Sequence, residues 1–245
     1  MDNHKPKIII LKNPSAVAEF AANRFISISK EAEQEKSFKH IALSGGSTPA
    51  LLFKILTSAT YNKHINWQNI HLWWGDERAV PPDHAESNFG TAQKFLIKKI
   101  NIPSNNIHRI KTELEPDIAA KNYQQEMIDN ITLIDNVPAF DWTILGMGED
   151  GHTASLFNTD DNFYMRNLTC VTTHPQSEQK RISLTKLTLC ASKHITFMVT
   201  GKNKAEKIKE ILGEKETAKD YPASLIRSNE SKTVWLLDKK AGQLL

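Results

Sequence analysis

Short apolar runs alternating with longer segments of helical period constrain this chain more than any single residue does. The runs, bounded by turn-forming residues, fall at 7–11, 40–43, 70–74, 141–145, 169–172, 181–184, 195–199 and 233–237. Runs this short suit strands rather than helices. Between them the spacing changes: Val17, Phe20, Ala21, Phe25 and Ile28 follow Pro14 and Ser15 at intervals of three and four, predicting an amphipathic helix with proline in its first turn. Residues 87–100, 116–131 and 203–212 read the same way. Parallel strands need crossover connections, usually helical, so the alternation predicts an α/β fold with a mainly parallel sheet and helices on both faces. No internal repeat, low-complexity tract or linker interrupts the pattern, and residues 1–245 read as a single domain.

With 245 residues, 40% of them hydrophobic, the chain can bury a sizeable core. Its 31 basic and 28 acidic side chains give a net charge of +3 and are interspersed, so neither a nucleic-acid footprint nor a membrane-binding patch stands out. The polar stretch Met1 to His4 runs directly into the first apolar run, without the h-region of a secretory signal. No stretch approaches the roughly 20 apolar residues of a membrane span. Cys170 and Cys190 make neither a disulfide framework nor a metal-ligand spacing with histidine. The expectation is a soluble cytoplasmic protein without a metal site, whose partner is a small molecule rather than nucleic acid or a membrane.

Three segments that follow apolar runs carry the candidate chemistry, since open α/β sheets bind ligands beyond the carboxyl ends of their strands. In Ser44-Gly45-Gly46-Ser47-Thr48-Pro49 the glycines let backbone N–H groups converge, hydroxyls add donors, and a following helix would present its positive end to a phosphate. The segment lacks the lysine of a Walker loop and the spacing of a dinucleotide fingerprint. The competing reading is a plain turn with Ser47 or Thr48 as helix cap. The second segment, Gly75-Asp76-Glu77-Arg78, places three charges after a strand; its competing reading is a solvated loop with Ser87 capping the next helix. The third, Gly146-Met147-Gly148-Glu149-Asp150-Gly151-His152-Thr153-Ala154-Ser155-Leu156-Phe157, sets a carboxylate and an imidazole two residues apart among glycines. Histidine titrates where proton transfer near neutral pH needs it, and a neighbouring carboxylate can orient it. Arg181 opens one later strand and Lys204 stands at a strand-to-helix turn, each able to grip a phosphate through charge-assisted hydrogen bonds or simply to remain solvated.

Taken in order with Glu86-Ser87-Asn88-Phe89 and Arg181-Ile182-Ser183-Leu184-Thr185, these segments closely resemble the 6-phosphogluconolactonase family, which is grouped with glucosamine-6-phosphate isomerases and deaminases. The resemblance implies a Rossmann-like parallel sheet. It also implies hydrolysis of 6-phospho-D-glucono-1,5-lactone, the second step of the oxidative pentose phosphate pathway, with no metal or organic cofactor. On this resemblance the phosphate loop is Ser44, Gly45, Gly46, Ser47 and Thr48, with Arg181 and Lys204 as distal phosphate cations. His152 is the general base and Asp150 its support, while Asp76 and Arg78 line the lactone end. Arg78, held by Asp76, or the backbone N–H groups of the glycine loop would receive the oxyanion. Asp76 and Asp150 both stay open as the partner of His152.

The family often has proline where Glu149 and Asn158 stand, which bears on loop geometry rather than on residue identity. An aldose–ketose isomerase or deaminase would show a Met-Asp-Glu-Tyr-like and a Gly-His-Ile-Ala-Phe-Asn-Glu-like segment in place of those at Gly75 and Gly151. A non-catalytic sugar-phosphate sensor usually carries a DNA-binding segment, and none precedes Lys7.

Overall fold

Each apolar run forms a strand, and the strands sort into sheets of different character. The computed structural model describes residues 5–159, 161–213 and 216–245; Met1 to His4, the polar lead-in, lie outside them. In chain order the strands are β1 (Lys7–Leu11), β2 (Lys39–Leu43), β3 (Ile70–Trp74), β4 (Asp76–Arg78), β5 (Leu133–Ile134), β6 (Val137–Pro138), β7 (Trp142–Leu145), β8 (Thr169–Thr173), β9 (Lys180–Leu184), β10 (Ile195–Val199) and β11 (Thr233–Asp238). The helices are α1 (Pro14–Glu35), α2 (Ser47–Leu56), α3 (Ala59–Asn62), α4 (Asn88–Phe95), α5 (Pro116–Asn130), α6 (Lys186–Cys190), α7 (Ala205–Leu212) and α8 (Pro222–Leu225).

Six strands build a parallel sheet in the order β1-β11-β10-β7-β2-β3. Every residue of β7 and β10 is buried, so both faces at the sheet centre are covered, as expected of parallel strands. Helix α1 starts where the pattern places it: Asn13 accepts a hydrogen bond from the Ala16 N–H at 2.9 Å and Pro14 occupies the first turn. Its buried stripe, which includes Val17, Ala21, Phe25 and Ile28, feeds the core, where Phe25 meets the edge of Trp142 at 5.1 Å. Trp73 and Trp74 point to opposite faces, as alternation requires. Trp73 stacks on His108 at 3.8 Å, and Trp74 meets Phe89 edge-on at 5.4 Å. Both tryptophans are packing residues.

Two expectations need correction. Residues 169–172 and 181–184 do not join the parallel sheet; β8 and β9 form a hairpin, closed by a His174 N–H bond to the Gln179 carbonyl, and β4 pairs with β9 to complete an antiparallel three-stranded sheet. The link between β8 and β9 is too short for a parallel crossover. Accordingly, Gly75 to Arg78 is not a solvated loop: after Gly75 the chain turns from β3 into β4, with the Gly75 N–H on the Leu43 carbonyl and the Leu184 N–H on the Gly75 carbonyl, each at 2.8 Å. The second correction is smaller: the helix read over 87–100 stops at Phe95, and Leu96, fully buried, leaves helical geometry before a 3-10 turn at Ile97–Lys99.

Candidate active site

The strand order locates the site. From β2 the chain adds β3 on one side, whereas β7, β10 and β11 follow one another on the other side, so the winding reverses between β2 and β7. Such a reversal opens a crevice at the carboxyl ends of the two strands. Two of the glycine-bearing segments leave from those ends, Ser44 to Thr48 after β2 and Gly146 to His152 after β7. Asp76 and Arg78 on β4 close a third side. Residues from all three segments, among them Ser44, Gly45, Asp76, Arg78 and His152, line a cavity of about 150 Å³.

At the β2 end the helix-cap reading of Ser47 and Thr48 does not hold. The residue before α2 is Gly46, at a φ of 103° that side chains other than glycine rarely adopt, and no side chain caps the helix. The Thr48 hydroxyl is engaged elsewhere, 2.9 Å from the Thr200 hydroxyl at the end of β10. An uncapped helix start with its positive dipole end facing a crevice suits an anion. Gly45 is needed for space: a methyl group there would overlap the Asn88 carboxamide.

At the β7 end the chain folds tightly on itself. The Gly148 N–H bonds the His152 carbonyl at 2.9 Å, the Thr153 hydroxyl bonds the Gly146 carbonyl at 2.8 Å, and Gly151 takes a φ of 90° against the Tyr221 ring. This geometry brings His152 Nδ1 to 2.6 Å from Asp150 Oδ1. The His152 hydrogen bond holds the Asp150 carboxyl down at about 2, so near neutral pH it is a carboxylate that can only accept. Nδ1 therefore carries the shared proton, and a neutral ring leaves Nε2 with its lone pair. A methyl group at Gly148 would overlap both the imidazole and the Asp150 carboxylate.

Alternation along β4 sends Asp76 and Arg78 to one face and Glu77 to the other. Asp76 accepts from the Ser155 hydroxyl at 2.6 Å, and its backbone carbonyl accepts from the Asn88 carboxamide at 2.9 Å. It holds neither His152 nor Arg78: Asp150 is the partner of the imidazole, and Arg78 Nη1 donates to the Glu86 carbonyl at 2.7 Å. Arg78 stands directly opposite Arg181 across the β4–β9 ladder, so the two guanidinium groups share a face. The Nε of each is buried without a partner, an arrangement of like charges and unused donors that an anion would relieve. Burial and the neighbouring Arg78 both push the Arg181 guanidinium below its usual range. Neither Lys204 nor Arg181 is among the residues that line the cavity; burial lowers the Lys204 ammonium while Glu149 and Asp150 oppose the shift.

Residue types alone did not point to three contributors. Glu77 is buried and accepts from the backbone N–H groups of Arg78, Asn88 and Phe89 and from the Ser87 hydroxyl, fastening β4 to the start of α4. Burial raises its carboxyl and those N–H donors pull it back. The period-two alternation of Asp76-Glu77-Arg78 was the available signal for it. Ser155 and Asn88, which hold Asp76, sit in motifs that the sequence marks but to which it assigns no partner. Ser87 caps α4 as expected, accepting from the Gly90 N–H at 2.9 Å.

A family model described as glucosamine-6-phosphate isomerases/6-phosphogluconolactonase matches residues 12–235. The 6-phosphogluconolactonase of Haemophilus influenzae is 49% identical over 206 residues, covering 84% of this chain and 87% of that protein. A 6-phosphogluconolactonase of Synechocystis is 32% identical over 242 residues, 98% of each chain. The crystal structure of 6-phosphogluconolactonase from Thermotoga maritima superposes with a TM-score of 0.81 at 30% identity, over 96% of this chain and 100% of that one. Sheet order, crevice and sequence matches agree: this chain belongs to the glucosamine-6-phosphate isomerase/6-phosphogluconolactonase family.

Proposed function

We propose that this protein hydrolyses 6-phospho-D-glucono-1,5-lactone to 6-phospho-D-gluconate, the second step of the oxidative pentose phosphate pathway, with His152 as the general base. Relatives named 6-phosphogluconolactonase, at 49% and 32% identity, support the lactonase over the isomerase or deaminase branch. The observation that carries the reading is the 2.6 Å pairing of His152 with Asp150 at the mouth of a crevice whose other wall is an uncapped helix start.

A lactone is an activated ester and needs a positioned water, a base, and donors for the oxyanion. His152 Nε2 takes the water proton as the oxygen attacks the carbonyl carbon; the imidazolium, stabilised by Asp150, then returns a proton to the ring oxygen as the carbon–oxygen bond breaks. In this reading the phosphate sits at the start of α2 among Ser44, Gly45, Gly46, Ser47 and Thr48, with Arg181 and Lys204 as cations. Arg78, beside Arg181, donates to the oxyanion or a sugar hydroxyl, and Asp76 keeps the base loop in place through Ser155. Binding energy from the phosphate fixes the carbonyl against His152.

We also take residues 1–245 as one catalytic unit and place it in the cytoplasm, since a phosphorylated substrate does not cross a bilayer unaided. In support, no helix among the described residues is long and apolar enough to cross a membrane, and both cysteines are free. His152→Ala tests the assignment of the base: lactone hydrolysis falls about 10² to 10⁴-fold while calorimetric affinity for 6-phosphogluconate is largely kept. Near-normal turnover removes His152 from the mechanism.

A further inference from the structure

One side chain next in sequence to the cavity-lining Gly148 has no part in the chemistry above, yet it joins two of the segments that carry it. Glu149 precedes the Asp150–His152 pair, and its Oε1 accepts a hydrogen bond from the Asn203 carboxamide, 54 residues away. Asn203 lies in the 3-10 turn Lys202–Lys204 that follows Gly201. The turn is anchored from behind, with the Gly201 N–H on Asp238 Oδ1 at 3.0 Å and the Lys204 N–H on the Gly201 carbonyl at 3.2 Å. Glu149 is also the foremost carboxylate acting on the Lys204 ammonium, ahead of Asp150.

The carboxylate therefore does two things of opposite sign. Through Asn203 it ties the base loop to the turn that presents Lys204. Through its charge it competes for that cation with any anion entering the crevice. We infer that Glu149 sets the affinity of the site for the phosphate end of its substrate, weakening it electrostatically while holding Lys204 in place. This rests on the assignment of Lys204 to the phosphate. Such a residue favours turnover, because the hydrolysed product gains a carboxylate beyond its phosphate and must leave a site rich in cations.

Two substitutions separate the effects. Glu149→Gln keeps an acceptor for Asn203 and removes the charge; Asn203→Ala removes the tie and keeps the charge. Affinity for 6-phosphogluconate and for inorganic phosphate is measured by calorimetry at low and at high salt. KM and kcat are measured with 6-phosphogluconolactone and with the unphosphorylated D-glucono-1,5-lactone. Glu149→Gln is expected to bind 6-phosphogluconate roughly three- to tenfold more tightly at low salt, with the gain shrinking as salt screens it. Its KM for the phosphorylated lactone falls, with no matching fall for the unphosphorylated one. Asn203→Ala is expected to bind more weakly than the parent. If Glu149→Gln binds no more tightly than a parent enzyme that hydrolyses the phosphorylated lactone, the role of Glu149 is overturned and the lactonase reading stands. Absence of hydrolysis by the parent enzyme, above the spontaneous rate, removes the reading beneath both.

Discussion

At the scale of single residues, the site depends on how one carboxylate fixes one imidazole. With Asp150 ionised and bonded to Nδ1, a neutral ring keeps its lone pair on Nε2, and His152 lines the cavity. Asp150→Asn can present its own N–H to Nδ1 and favour the opposite tautomer, so kcat is expected to fall tenfold or more, roughly, with KM changed much less. A kcat within twofold of the parent would mean that the ring is oriented by something else. The pair was legible in the sequence because its members are two residues apart in a glycine-rich segment. What decided between Asp150 and Asp76 was not legible: Asp76 is consumed by Ser155, 79 positions away, and no local pattern encodes that contact.

At the scale of elements, the three-stranded sheet acts as a bracket that carries Asp76 and Arg78 to the crevice and sets Arg181 opposite Arg78. Glu77 fastens it to α4 with four donors on one buried carboxylate. Glu77→Ala leaves those donors unpaired and is expected to cost about 3 kcal/mol of stability, read as a lower urea midpoint with little change in m-value. An unchanged midpoint would contradict the bracket. Near the amino ends of β2 and β3, at the edge of the sheet away from this chemistry, His40 and His71 are paired in register, and His71 Nδ1 lies 2.9 Å from His108 Nε2. Burial, with His71 and His108 as neighbours, pushes His40 down to about 3; burial and His108 push His71 down to about 4. Both values lie below the ordinary histidine range, so the unfolded chain takes up protons first as pH falls. Their contribution to stability is complete above about pH 6.5 and is lost progressively toward pH 4 and 3. Thermal melts between pH 7 and 4.5 should show this decline, and it should be shallower in His40→Gln; equal slopes would contradict the buried-histidine account.

At the scale of the whole molecule, the eight strands that begin as apolar runs were readable because buried strands advertise themselves in that way, as at 195–199, where all five residues are buried, whereas β4, β5 and β6 carry no such run. Their assortment into two sheets was not, since a run such as 181–184 looks the same whether its neighbour is parallel or antiparallel. The turn from β2 into α2 was readable from its glycines and hydroxyls, whereas the opposition of Arg78 and Arg181 emerges only from the β4–β9 register. The convergence of the β2, β4 and β7 ends on one crevice follows from the reversal of strand order, which no segment carries by itself.

In the proposed function these three ends together make a lactone hydrolase working through His152. Its most direct test generates 6-phosphogluconolactone in situ and follows its disappearance with and without the purified protein after chelator treatment, using glucosamine 6-phosphate as control substrate. Among the described residues no three His, Cys, Asp or Glu side chains are grouped to hold a metal ion, so chelation is expected to leave the rate unchanged. Lactone is expected to disappear well above the spontaneous rate, with no turnover of glucosamine 6-phosphate. Turnover of glucosamine 6-phosphate without acceleration of lactone hydrolysis would contradict it.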